Sequence, residues 1–406
     1  MQPPLDGTTI LDLSQGAAGP IATMVLAQYG AEVIKVDPPG GEWGRKLGPP
    51  FIKDQAAAYL GMNRDKRSIV VDLKHPKGAE VLEKLSESAD VVVESFRPGV
   101  LERFGFSYES LSVKHPGIIW CSITAFGQDG PWKDKPGVDG IVQAISGIMS
   151  VTGEPQGAPV KVGVPAADTV GGFLAAQGIL LALLERNRSG LGQRVDLSLL
   201  DAMLMFQTVP LSMFLASGSS PGKQGSAAPY AAPNEAFPTK DGYIMVAAYW
   251  PDRWLKFTQA IDRPSLADDP RFCDIALRVA NRKELFFELS RIFEGAPTDY
   301  WVKRLEDSDV VCAKIYDYDS LCKESHLVTS DRFPSLSHPA LGPTPGVGMA
   351  ARLSRTPPRA ARAAPLPGEN TVEILTEIAK VPLDVCESWI SSQVVEQLGY
   401  QEAEDG

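Results

Sequence analysis

One acidic residue, Asp168, stands at the head of a long apolar run in "VPAADTVGGFLAAQGILLALL". An aspartate before an apolar helix is a preferred N-cap, because its carboxylate accepts orphan backbone N–H groups. The same carboxylate, set among small residues, is also suited to covalent nucleophilic catalysis. Ala166 and Ala167 leave room for a substrate, and Gly171 and Gly172 let another backbone come close. The two roles compete, since a carboxylate engaged by helix N–H groups is a poorer nucleophile. The residues alone leave both readings open.

Other groups with chemical potential are more easily sorted. Bases gather in "NRDKRSIVVDLKHPKG" (Asn63–Gly78) and "SFRPGVLERFG" (Ser95–Gly105). Such clusters form either a solvated sheet edge or an anion-binding patch at strand ends and helix starts. The loop "SQGAAGP" follows a strand and opens a helix, and Asp37 ends the next strand, where a dinucleotide fold keeps its ribose-binding acid. The GxGxxG fingerprint is absent, however, so a tight strand-to-helix turn is the expected reading. No GxSxG elbow is present, and His75, His115 and His338 lie beside or close to prolines in loops, where surface positions are expected. The four histidines and five scattered cysteines show neither HExxH nor CxxC spacing, so no metal site is expected. That cysteine usage suits a reducing compartment.

The elements that must position these residues follow from pattern. With 406 residues the chain is long enough for two or three domains. Apolar residues make up 44% and charged residues 22%, ordinary values for a globular protein. The net charge of −11 argues against broad affinity for nucleic acid or bilayers. "MQPPLDGTTILDLS" has no signal-peptide pattern, and a cytoplasmic protein is expected. Strand patterns at Thr8–Leu13, Ala31–Asp37, Lys66–Leu73, Ala89–Phe96 and Gly117–Gly127 alternate with helical ones at Gly19–Gly30 and Lys77–Ser88. Alternation of this kind makes a parallel α/β sheet covered on both faces. A helix is expected from about Thr169 to Arg186. Its apolar core, Val170–Leu184, is too short for a membrane span and reads as buried. "ASGSSPGKQGSAAPYAAPNE" (Ala216–Glu235) reads as a linker. A second, smaller α/β unit starts at "DGYIMVAAY" (Asp241–Tyr249), with helices near Pro251–Ala260 and Arg282–Phe293. Pro334–Pro367 reads as an extended return strap.

Six segments in order resemble the family III CoA-transferases of the CaiB/BaiF type, whose fold is shared by the 2-methylacyl-CoA racemases. They are "AGPIATMVLAQYGAEVIKVDPP", "NRDKRSIVVDLKHPKG", "ADVVVESFRPGVLERFGFSYESL", "SITAFGQDGPWKDKPGVD", "AADTVGGFLAAQGILLALLERNRSGLGQRVDLSLLDAM" and "APLPGENTVEIL". The resemblance covers nearly the whole chain. It implies a large Rossmann-like domain with a parallel sheet built from both chain ends, plus a smaller inserted α/β domain. The corresponding parts are 1–215 with the CoA site and catalytic aspartate, 216–333 as linker and small domain, and 334–406 as strap and return to the large domain. It also implies an interlocked homodimer.

By the same resemblance Asp168 is the nucleophile, passing through acyl-anhydride and aspartyl-CoA intermediates. Leu73, Lys74, Phe96 and Arg103 would line the CoA site, and backbone N–H groups near Ala17 and Ala18 would lie by the acyl group. Coenzyme A enters as substrate, with no permanently bound cofactor, and the partners are an acyl-CoA, with succinyl-CoA the expected donor, and a carboxylic acid. The racemases use a histidine in a Gly-His-Asp motif, which here reads Gly137-Val138-Asp139, and a glutamate that falls at Trp250. Valine carries no proton, so a transferase is expected over a racemase. A third reading is a CoA-binding subunit without catalysis, against which Asp168 itself argues. Formyl-CoA transferase has a glutamine where this chain has Ala17, and a glycine-rich lid where it has "SAAPYAAPNE". Tyr230, Tyr249 and Trp250 are therefore candidates either for lining a larger acyl pocket or for packing the small domain.

Overall fold

The computed structural model describes residues 2–330 and 332–399. The chain forms two compact units. One comprises Met1–Ser146, Val162–Thr208 and Val328–Gly406, the other Gly147–Lys161 and Val209–Leu327. The stretch Gly147–Lys161, kept with the large domain in the sequence reading, is tied into the second unit. There the Gly225 N–H donates to Gly153 O at 3.0 Å and Lys223 donates to Gly157 O.

In the first unit the chain runs β1 (Thr9–Asp12), α1 (Ala18–Gln28), β2 (Glu32–Asp37), β3 (Lys66–Val71), α2 (Gly78–Ser86), β4 (Val91–Glu94), β5 (Ile119–Thr124), α3 (Asp139–Ile145), α4 (Ala166–Ser189), β6 (Arg194–Ser198) and α5 (Leu199–Phe206). In the second it forms β7 (Asn234–Pro238), β8 (Tyr243–Ala247), α6 (Pro251–Ala260), α7 (Arg282–Phe293), α8 (Thr298–Asp307) and β9 (Val311–Lys314). It then returns to the first through a small hairpin, β10 (Leu336–His338) and β11 (Gly342–Thr344), and ends with α9 (Leu383–Ser391) and β12 (Val395–Glu396).

The large sheet has the order β12-β3-β2-β1-β4-β5-β6. All neighbours are parallel except β12, which runs antiparallel to β3. β1, β4 and β5 are buried along almost their whole length, as expected where helices cover both faces of a parallel sheet. Both chain ends contribute to one core, in which Leu11, Ile34 and Val92 of the sheet meet Leu82 of α2 and Trp389 and Val394 near the C-terminus. The chain winds from β1 outward to β3, then returns to start β4 on the other side of β1. The gap beyond the C-terminal ends of β1 and β4 is thus a topological switch point, where open α/β sheets bind ligands.

The second unit has its own aromatic core, including Phe237, Trp254, Phe257, Phe293 and Trp301. Its sheet, β9-β8-β7, is antiparallel. The short Thr239–Gly242 turn between β7 and β8 permits no other pairing. The expected α/β unit is therefore a hairpin-based sheet with helices, not a second set of crossovers.

α4 differs from expectation in length and burial. It has 24 residues, and by length and composition alone would cross a bilayer, with a mean hydropathy of 1.6 over its most apolar window. It serves instead as a helix of the α/β body. Gly171, Gly172, Ala175, Ala176 and Ile179 are buried, and it packs against α1, α3, α5, β5 and β6. Its other face exposes Phe173, Leu180, Leu181 and Leu184.

Candidate active site

Asp168 sits at the third position of α4, and the N-cap residue that precedes the helix is Pro165. An acid at that position ordinarily reaches back to the N-cap N–H, as in a capping box. Proline has no N–H to offer. Of the next two donors, the Ala166 N–H meets no acceptor among the described residues and the Ala167 N–H is taken by the Asp139 carboxylate at 2.8 Å. Among the described residues Asp168 makes no side-chain hydrogen bond or ion pair. Burial and, secondarily, the like charge of Asp139 push its pKa up to about 6 from 3.8. The carboxylate that looked like a helix cap caps nothing.

Asp139 is itself held. Gln143, one turn along α3 and fully buried, donates to Asp139 Oδ2 at 2.8 Å and to Val164 O at 3.3 Å. Its amide oxygen accepts the Val162 N–H at 2.9 Å. The strand of chain that enters α4 is thus fastened to α3 at three points.

The start of α1 faces this region. A Cβ on Gly172 would lie 2.6 Å from Ala18 O and 3.0 Å from Ile21, so only glycine lets α4 cross α1 this closely. Asp168 lies one turn before Gly172 on the same helix face. α1 begins with Ala17 at its N-cap, which brings no side-chain acceptor. Among the described residues the N–H groups of Ala17 and Ala18 meet no acceptor. The preceding loop is fixed by other groups. The Gln15 N–H donates to Ser95 Oγ and the Gly16 N–H to Glu42 Oε2, both at 2.9 Å. Gly16 adopts φ +84°, and a Cβ there would strike the Trp43 ring at 2.9 Å.

Past the ends of β1–β4 lies a cleft of about 410 Å³. Leu73, Lys74 and Phe96 line it together with Leu13, Pro38 and Phe104. Phe104 also lines its wall, and Arg103, one residue earlier, is exposed. The backbone N–H of Phe96 is held by Glu94 at 2.8 Å, a buried acid whose pKa burial pushes up to about 7.

The basic cluster of Asn63–Gly78 divides in two. Lys66 is buried on Asp12 at 2.9 Å and Asn63 at 2.8 Å, and Arg67 pairs with Glu32 and Glu373. Lys74, by contrast, is exposed at the cleft. Asp37 is not a ribose ligand. It is fully buried, bound by Arg45 at 2.7 Å and Ser68 at 2.8 Å, and although burial opposes it, Arg45 and Lys35 keep its pKa below the ordinary range.

In the second unit the loop at Ser226–Glu235 is pinned. Arg282 donates to Ala228 O and Ala231 O and pairs with Glu235, and Arg278 donates to Ala232 O and Tyr249 O. Tyr230 and Trp250 are exposed rather than packed into the aromatic core.

Sequence reasoning missed Asp139, Gln143 and Phe104. A signal existed for the first: a proline three residues before Asp168 implies that something else must cap the helix.

The family description "CoA-transferase family III" matches residues 5–371. Succinyl-CoA:glutarate CoA-transferase of Homo sapiens is 36% identical over 395 residues, covering 97% of this chain and 90% of that protein. Succinate--glutarate CoA-transferase of Agrobacterium fabrum is 36% identical over 392 residues, 94% of this chain and 97% of its own. A crystal structure of a CAIB/BAIF family protein from Brucella suis superposes with a TM-score of 0.84 at 33% identity, over 93% of this chain and all of that one. The chain therefore belongs to CoA-transferase family III, a family of enzymes.

Proposed function

We propose that this protein moves coenzyme A between an acyl-CoA and a carboxylic acid, with Asp168 as covalent nucleophile. The observation that carries the mechanism is the Asp168 carboxylate itself: partly buried at a helix start, yet making no hydrogen bond among the described residues, with the proline at the N-cap and Asp139 on the Ala167 N–H. A carboxylate of raised pKa is also a stronger nucleophile once ionised.

An Asp168 oxygen attacks the thioester carbonyl, the C–S bond breaks, and CoA leaves as thiolate from a mixed anhydride. The thiolate then attacks the Asp168 acyl carbon, releasing the donor acid and leaving an aspartyl-CoA thioester. The acceptor carboxylate displaces CoA in the same way, and the returning thiolate takes the acceptor acyl group and regenerates Asp168. Each exchange swaps one carboxylate for another, so the thioester energy stays in covalent form provided water is kept out. The unengaged N–H groups of Ala17 and Ala18 are suited to the oxyanion that develops at each attack.

Coenzyme A is placed in the switch-point cleft, its adenine against Leu73 and Phe96 and its phosphates near Lys74 and Arg103. The donor is taken to be succinyl-CoA and the acceptor a small dicarboxylic acid, in keeping with the names of the relatives above. Val138 and Trp250 stand where a racemase needs proton carriers, and neither side chain exchanges protons. The reading includes an interlocked homodimer in a reducing, cytoplasmic setting, which suits the five free thiols.

The test is to mix the protein with a panel of acyl-CoAs, quench with hydroxylamine and locate hydroxamate by mass spectrometry. Label on Asp168 is expected, strongest with the true donor. CoA binding without label from any thioester would overturn the covalent route.

A further inference from the structure

The contacts around the start of α4 go further than naming a nucleophile. A helix N-terminus leaves its first N–H groups without partners, and a carboxylate in the first turn is drawn to them by hydrogen bonding and by the helix dipole. Asp168 occupies such a place. Left alone, it would be held by the helix it begins.

We propose that Asp139, buttressed by Gln143, is a positioning residue that caps α4 in place of Asp168 and so keeps the nucleophile unbound. The inference rests on Asp168 being the nucleophile. Four observations support it. The Asp139 carboxylate accepts the Ala167 N–H at 2.8 Å across 28 residues of sequence. Gln143 holds the other Asp139 oxygen and both sides of the entry strand, through Val162 N–H and Val164 O. Pro165 removes the donor that a first-turn acid would otherwise recruit. Asp139 also repels Asp168, which disfavours ionisation of the nucleophile and makes the ionised form more basic.

Among the elements packed on α4, α1 and β5 carry no charged side chain. α3 carries Asp139 alone, α5 carries Asp201, and β6 carries Arg194 and Asp196. Of these only Asp139 acts on Asp168. Asp139 thus does two things: it occupies one of the first-turn N–H groups that compete for the nucleophile, and its charge adds to burial in raising the pH at which the nucleophile ionises.

Two substitutions separate these effects. Asp139→Asn keeps an oxygen that can accept the Ala167 N–H but removes the charge. The wild-type rate of hydroxamate formation on Asp168, measured in single turnover with whichever of acetyl-, succinyl- or a branched acyl-CoA labels best, should fall as pH drops through about 6. In Asp139→Asn this acid limb should move down by roughly one pH unit, with the plateau rate within about threefold. Asp139→Ala frees the Ala167 N–H, and Asp168 should be captured by it. The rate should then drop roughly 10- to 100-fold, the scale of a hydrogen bond to a charged group, with little change in KM for acyl-CoA.

If the wild type forms no hydroxamate, the nucleophile assignment fails. If the wild type labels but Asp139→Asn keeps the wild-type acid limb, the electrostatic role fails. If Asp139→Ala keeps the wild-type rate, the capping role fails. Should Asp139→Ala not fold, the pH profile of Asp139→Asn decides the proposal, and an unmoved limb overturns it.

Discussion

Asp168 is held in a state that opposes folding. Its carboxylate is partly buried, meets no hydrogen-bond donor among the described residues and feels the like charge of Asp139, so its pKa is pushed up to about 6 from 3.8. An acid raised in the folded state binds its proton more tightly there than in the unfolded chain. The resulting penalty is absent below pH 3.8, grows between 3.8 and about 6, and is complete above that. Asp168→Asn removes it. The variant should form no covalent adduct, yet at pH 7.5 it should be more stable than the wild type by roughly 1–3 kcal/mol, given about 1.4 kcal/mol per pKa unit. The gain should shrink as pH falls and vanish near pH 3.8. Urea midpoints measured across that range test the claim. A difference that does not change with pH would mean that the carboxylate is not strained by burial in the folded protein.

At the scale of elements, the crossing of α1 and α4 decides where Asp168 sits. Gly172 makes the crossing possible, since a methyl group there would meet Ala18 O at 2.6 Å, and a carbonyl oxygen cannot move without its helix. Gly172→Ala should therefore push the two helices apart, destabilise the protein by roughly 1–3 kcal/mol and shift Asp168, one turn away. A shift of this kind costs on the order of 100-fold in rate. Gly178→Ala, on the same helix, meets a Val195 side-chain methyl at 2.7 Å instead, and should lose stability while keeping the acylation rate. The strands were legible because buried parallel strands announce themselves as short apolar runs between helical patterns. The helix crossing was legible only as "TVGGF", a pair of glycines without an address. The cap on α4 was hidden because Asp139 and Ala167 are distant in sequence, and composition cannot separate Lys66, buried on Asp12, from Lys74, exposed at the cleft.

At the scale of the whole molecule, the single chain leaves too much apolar surface uncovered. On α4, Phe173 is 53% exposed, Leu181 59% and Leu184 63%, and on α5 Met205 is 62% exposed. Contiguous patches of this sort mark an interaction surface, and in the dimer proposed above a second copy covers them. The expected mass in solution is twice the 43.7 kDa of the chain, and Leu181→Glu with Leu184→Glu should break the assembly or leave it prone to aggregate. Interlocking makes a stronger demand than dimerisation. If each chain passes through the ring of the other, two dimers carrying different tags cannot trade subunits without unfolding. Mixed at nanomolar concentration for a day, they should yield no hybrid; unfolded together in urea and refolded, they should yield the statistical share. A pair of chains that merely lie side by side exchanges as fast as it dissociates, so hybrids appearing in native buffer would rule out the interlock while leaving the dimer intact.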